Sequence, residues 1–330
     1  MKPIFYALIL SFFAISCEKE KTKIIENKKN TAIEIDTLYS QKKNLDNLKI
    51  YDLYSIENSE KKYSLFISLS DVYTDSLSVP NEIIQNQKNK TFEELKRIEL
   101  TGIYRERLLN GTKLTENDTL FLYNYSNAKL QKFPIHKLKS VAHLNLYQSE
   151  GDEINEYSYM IGFELNDKMS SDAEWSEISN SNLAYFGKEN PFSGEKLIPV
   201  HWFKVSKDQF PLSLEKSKNL GNTYFAQFKK LKYYLQDYNG DHETAKRQLV
   251  IVKNGKVVFV KSYTRGEGAE FSPLNFIDSN GYNDWQWTGN LFKDKPPVIF
   301  DFVSESFGCP SITFLDSSFP DLYINCDNRH

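Results

Sequence analysis

The chain has 330 residues, 40% hydrophobic and 14% aromatic, and only 14 Gly and 11 Pro, which excludes a collagen-like or wholly disordered chain. Its net charge of −3, with no clustered Lys/Arg patch, argues against nucleic acid as a partner. At about 150 residues per domain the length suggests about two domains.

The chain opens MKPIFYALILSFFAISCEKEK. Lys2 supplies a positive start, and residues 4–15 form an apolar run. That run is too short to span a bilayer, which takes about 20 residues, and suits the hydrophobic stretch of a signal peptide. A buried N-terminal helix or strand would leave the abrupt change to EKEKTK after Cys17 unexplained. The residues Ala14-Ile15-Ser16-Cys17 resemble the lipobox of bacterial lipoproteins, with Ala14 where Leu is usual. The resemblance implies a signal peptide over 1–16, cleavage before Cys17, and acylation of Cys17 with palmitate-like chains. Several acyl chains on one residue give stable anchoring where one would be marginal. The charged run after Cys17 resembles the surface-export signals of Bacteroidota lipoproteins, and residues 17–35 suit a solvated tether. The expected address is the cell envelope, as an outer-membrane lipoprotein on the periplasmic face or the cell surface.

Beyond the tether most segments are strand-like. Residues 64–73, 119–125, 141–147, 157–165 and 200–205 are short and rich in β-branched and aromatic residues. One helix is predicted over 91–100, where Thr91 and Glu94 have capping-box spacing and Glu93 and Arg97 form an i,i+4 pair. The stretch TYFAQFKKLKYYL (223–235) fits either helix or strand. In RQLVIVKNGKVVFVKSY, Asn254-Gly255 lies between two apolar runs and predicts a tight hairpin. Strands are expected again over 298–303, 311–315 and 321–326. The fold expected is mostly β, or α+β with few helices, built from short antiparallel strands and hairpins. The polar stretch 168–182 is the best boundary, dividing an N-terminal β-rich domain (36–170) from a C-terminal one (183–330).

Two cysteines remain once Cys17 is assigned to lipid. In an oxidising envelope Cys309 and Cys326 read as a disulfide, with two buried thiols as the alternative. A zinc site there lacks ligand-pair spacing.

Asp237, Asn239 and Asp241 alternate in LQDYNGD and resemble the first half of a calcium loop of the EF-hand or FG-GAP type. Calcium is the one cofactor this leaves open. His242, Ala245 and Gln248 stand where such a loop needs its glycine and late ligands, so a polar turn before the next strand is the competing reading. Tyr282, Trp285 and Trp287 in GYNDWQWTGN offer flat faces suited to sugar rings or a protein partner, against core packing of a strand end. RGEGAE (265–270) reads as a loop, since no third glycine or helix completes a dinucleotide fingerprint. The five histidines show no metal spacing, and VSESFG has Ser304 where a nucleophile elbow needs Gly.

These features favour a non-catalytic envelope lipoprotein, held to the membrane by lipid, that binds a protein or a glycan. An envelope hydrolase using dispersed carboxylates on glycan or peptidoglycan is the first alternative. A calcium-stabilised binding module is the second.

Overall fold

A computed structural model describes residues 43–57, 63–70, 78–165, 181–214, 219–241, 243–278 and 284–327. The chain divides into two units, Met1–Ser40 and Gln41–His330, and all described residues belong to the second. Cys17, the signal and the tether therefore lie outside the described residues, as do His242, Tyr282, His330 and most of the expected boundary at 168–182.

The strands of the first half are β1 (Ile50–Tyr51), β2 (Tyr54–Glu57), β3 (Tyr63–Ser68), β4 (Arg97–Glu99), β5 (Thr119–Asn124), β6 (Lys129–Pro134), β7 (Lys139–Leu144) and β8 (Tyr159–Leu165). They are joined by helices α1 (Asn81–Gln85), α2 (Phe92–Lys96) and α3 (Ile103–Thr112). The second half adds β9 (Asn182–Gly187), β10 (Ile198–Pro199), β11 (Phe203–Val205), β12 (Leu220–Phe228), β13 (Leu231–Asn239), β14 (Thr244–Lys253) and β15 (Lys256–Thr264). It ends with β16 (Ala269–Phe271), β17 (Trp287–Gly289), β18 (Val298–Phe300), β19 (Val303–Glu305), β20 (Ser311–Phe314) and β21 (Leu322–Asn325). The fold is mostly β, in several antiparallel sheets, as expected. Among the described residues no helix is long and apolar enough to cross a membrane.

A nine-stranded sheet, ordered β10-β17-β18-β20-β21-β1-β9-β5-β6, lies at the centre. It takes strands from both sides of the expected 170/183 division, so main-chain hydrogen bonds join the two halves. Side chains alternate across it with the period of two that a pleated strand imposes. Tyr51, Leu120, Leu122, Ala184 and Phe186 face one core, completed by the five-stranded sheet β2-β3-β8-β7-β4. Ile50, Phe121, Tyr123 and Leu183 face a second core with Trp287, Phe300 and Ile324. Ile299 and Phe302 reach a third, built on the meander β11-β12-β13-β14-β15.

Local chemistry explains the meander. Asn254 and Gly255 take φ of 52° and 78°, the paired left-handed residues of a tight hairpin turn. The ambiguous 223–235 stretch is a second hairpin, with Tyr224 opposite Leu235 and Phe228 opposite Leu231. Tyr224, Ala226, Tyr233 and Leu235 all pack on the same core, so period-2 burial wins over the helical spacing.

The 91–100 segment is helical only in its first half. The Thr91–Glu94 capping box forms, and Glu94's carboxylate accepts from the Thr91 N–H at 2.7 Å. The helix stops at Lys96 because Arg97–Glu99 pairs with β7, which buries Ile98. Arg97 therefore turns to Glu164 at 2.7 Å, and Glu93 pairs with Lys96 instead.

Candidate functional site

Strand directions bring several polar residues to one end of the nine-stranded sheet. β18 and β20 are antiparallel, as are β20 and β21, while β21 and β1 are parallel. β1 is antiparallel to β9, and β9 to β5. The carboxyl ends of β18, β21, β1 and β5 therefore point the same way. The residues that follow them are Asp301, Cys326-Asp327, Asp52 and Tyr125.

These ends are tied together. The Asp52 N–H donates to the Asn325 carbonyl at 2.9 Å, and the Ile324 N–H to the Pro310 carbonyl at 2.8 Å. The Ser68 hydroxyl donates to Asp327 Oδ2 at 2.8 Å. Cys309 and Cys326 form the expected disulfide, with Cα atoms 5.5 Å apart. It fastens the segment leading into β20 to the end of β21.

A cleft of about 410 Å³ opens beside this end. One wall is β15, through Lys261 to Thr264, and another is the β16–β19 ribbon with Gly266, Glu267, Glu305 and Phe307. Asp301, Phe302, Ser311, Thr313, Asp321 and Tyr323 complete it. The volume falls in the range of small-ligand sites, about 300–1,000 Å³. Phe307 and Tyr323 line the cleft and are each 64% exposed. Lys261 is held in place, with Nζ donating to Thr313 Oγ1 at 2.7 Å and to Asp321 Oδ2 at 2.6 Å. Thr313 Oγ1 donates to the other Asp321 oxygen at 3.1 Å. Tyr263 stacks on Phe302 with ring centroids 4.6 Å apart.

Asp301 is the chemically distinctive member. Burial, reinforced by the charge of Asp52, pushes its carboxyl up to about 7. Burial also raises Asp52, against a lowering hydrogen bond from the Leu53 N–H. Tyr125 is raised by burial and then by the charges of Asp301 and Asp52. Asp301 has φ 65°, a left-handed conformation that a non-glycine residue holds only when its surroundings impose it. A carboxyl with a strongly raised pKa in a cleft marks a functional-site candidate.

The residues singled out from sequence lie elsewhere. Asp237 is 4% exposed and turns to Arg247, whose Nε donates to its Oδ1 at 3.3 Å. The guanidinium also donates to the Ser272 carbonyl at 2.7 Å and lies over the Phe271 ring. Asn239 and Asp241 are exposed, whereas Asp237 is buried against Arg247. LQDYNGD is the end of β13 and its turn, closed by the Gly240 N–H on the Glu243 carbonyl at 2.6 Å.

The Trp285–Trp287 face is a correction. Trp287 is 6% exposed, packs edge-on against Tyr125, and donates its indole N–H to the Asp284 carbonyl at 3.1 Å. Only Trp285 stays half-exposed, because β17 starts after it and turns Trp287 into the core.

Of the histidines, His143 is buried with Nε2 at 3.2 Å from Glu164. Burial would raise Glu164, but hydrogen bonds from His143 and Arg97 outweigh it and lower the carboxyl. Among the described residues no three His, Cys, Asp or Glu side chains gather as a metal site.

Sequence reasoning passed over Asp52, Asp301, Lys261, Asp321, Phe307 and Tyr323. One signal was present: Asp301 interrupts the apolar run VIFDFV, taken above as one strand. The run is two strands, β18 and β19, with Asp301 at the break.

No protein-family model, curated protein or solved structure matches the chain.

Proposed function

We propose that this protein is a lipid-anchored envelope protein that binds a glycan or peptide ligand in the cleft between β15, the β16–β19 ribbon and β21, without transforming it. The observation that carries the reading is the pairing of two exposed rings, Phe307 and Tyr323, with a fixed Lys261–Asp321–Thr313 floor in one cavity of ligand size. Ring faces supply apolar contact at little entropic cost, and held polar groups supply orientation. The test is calorimetry of the full chain with soluble disaccharide-peptide fragments of cell wall. The double variant Phe307→Ala/Tyr323→Ala should lose at least tenfold in affinity with its melting temperature kept. Equal binding by the variant would refute the site.

The address rests on the lipobox-like residues before Cys17. Cys17→Ala should move the protein from the membrane fraction to the soluble one. A wild-type chain already soluble and unacylated would end that part of the proposal.

Hydrolysis of a glycan in the same cleft is the second reading, favoured by the Asp301 carboxyl at about 7, where a general acid works. Such an acid needs a partner carboxylate with a free oxygen. Asp321 has both oxygens engaged, and Glu267 and Glu305, which also line the cleft, are exposed to solvent, which is why binding ranks first. Release of reducing ends from cell-wall glycan, lost in Asp301→Asn, would replace binding with hydrolysis.

A further inference from the structure

The charges around the cleft do not balance. Lys261 lines it and is taken by Asp321 at 2.6 Å. Arg265, next to the lining residues Thr264 and Gly266, is taken by Glu270 at 2.8 Å and by Glu243. Both nearby cations are thus already paired. Glu267, Asp301 and Glu305 also line the cleft, and among the described residues none of them has a cation partner. They come from separate pieces of chain: the turn before β16, the end of β18 and the end of β19.

Asp301 is the most telling of the three. Its backbone carbonyl accepts from Gln286 Nε2 at 3.0 Å. Its carboxyl has neither donor nor cation among the described residues, and its only charged neighbour of note is another acid, Asp52. A half-buried carboxyl in that situation is harder to ionise, and an arriving cation relieves that cost. The two exposed rings, Phe307 and Tyr323, lie in the same cleft. A ring face attracts an ammonium or guanidinium, and it also covers the apolar stem that carries one.

Resting on the reading of this cleft as a ligand site, we infer that its ligand carries a primary ammonium or guanidinium on an apolar stem, with the charge against Asp301 and the stem against Phe307 or Tyr323. A neutral sugar would fill the same volume and leave the Asp301 carboxyl without a cation, whereas Glu267 and Glu305 are exposed and solvated. The raised carboxyl of Asp301 agrees with a site that waits for positive charge, since a bound cation draws such a group back toward its ordinary range.

The experiment is calorimetry on the full chain at physiological ionic strength with four probes. These are spermidine, an Ala-Lys-Ala peptide blocked at both ends, the same peptide acetylated on its lysine, and neutral chitotriose. Spermidine, the lysine peptide or both should bind, and which of them does so tells a free amine from a side chain. The acetylated peptide and chitotriose should bind at least tenfold more weakly. The Asp301→Asn variant should lose at least tenfold for the charged probe while melting no lower than wild type. Equal binding of the acetylated or neutral probe, or no loss in the variant, overturns the cationic class. So does the failure of every charged probe at millimolar concentration. In each case the wider reading still stands if cell-wall fragments bind in a Phe307- and Tyr323-dependent way, and it falls with the inference if they do not.

Discussion

The meander β11–β15 and the nine-stranded sheet reach the same kind of pairing by opposite routes. In the meander every strand pairs with its neighbour in sequence, through turns as short as Asn254-Gly255. In the large sheet β1 lies between β21 and β9, and the Asn325 side chain reaches the Ile50 carbonyl from 275 positions away. Local pairing needs little loop closure, whereas distant pairing commits the chain to closing long loops before contacts form. The cleft follows from that difference. Its lining comes in short separate runs between Lys261 and Tyr323, brought together by strand order and not by a single turn, so it forms no motif.

The largest effect is expected inside the meander. Asp237 and Arg247 face each other across β13 and β14 and are both buried. Arg247→Ala leaves a buried carboxylate without its cation and should destabilise by about 3–5 kcal/mol in urea denaturation. A double replacement of the pair by apolar residues of similar size should recover most of that loss. If Arg247→Ala costs under about 1 kcal/mol, the pair does not hold the meander together.

The matching perturbation of the large sheet is the disulfide. Cys309–Cys326 spans 17 positions, and closing a loop of that size is worth about 3 kcal/mol in the chain-entropy model. Cys309→Ser/Cys326→Ser should lower stability by that order and speed hydrogen exchange in β20 and β21. Exchange in β13–β15 should hardly change. Uniform acceleration everywhere would mean that the two regions unfold as one.

Next comes Asp301, with a defined sign. Folding raises its carboxyl from the usual carboxylate range to about 7, beside Asp52 and Tyr125. Between roughly pH 4 and 7 the native state holds a proton that the unfolded chain has released, so stability falls as pH rises through that window. The cost is complete above pH 7. Asp301→Asn removes it, and the variant should exceed wild type at pH 8 by up to about 4 kcal/mol, with the gap closing near pH 4. A pH-independent difference between the two would show that Asp301 titrates normally.

Legibility followed the same divide. The Asn254-Gly255 hairpin, the Thr91–Glu94 cap and most strands were readable because each depends on residues a few positions apart. The Cys309–Cys326 bond was readable because few cysteines leave few pairings. Trp287 was misjudged because an aromatic residue has the same appearance in a sequence whether its ring faces solvent or Tyr125. Asp237 looked like a metal ligand because the cation it meets, Arg247, comes from the following strand. Asp301, Asp52 and Tyr323 drew no notice, since only the β18–β20–β21–β1 order brings their strand ends together. The signal for Asp301 was a single acid inside an apolar run, too common a pattern to stand out without that order.

The smallest effect gives the cleanest contrast between the regions. Gly255 and Gly266 both have open space where a Cβ would go, so a methyl group meets no neighbour at either position. They differ in backbone. Gly255 sits at φ 78° in the meander turn, while Gly266, at the cleft, does not take a left-handed φ. Gly255→Ala should therefore cost about 1 kcal/mol, the ordinary penalty for an L-residue in that conformation. Gly266→Ala should be neutral, or stabilise by up to about 1 kcal/mol by restricting the unfolded chain. Urea denaturation of the two variants isolates backbone conformation from packing, because neither methyl touches anything. Equal costs would mean that the Asn-Gly turn does not set the register of β14 on β15, and that the meander, like the large sheet, depends on contacts made far from its turns.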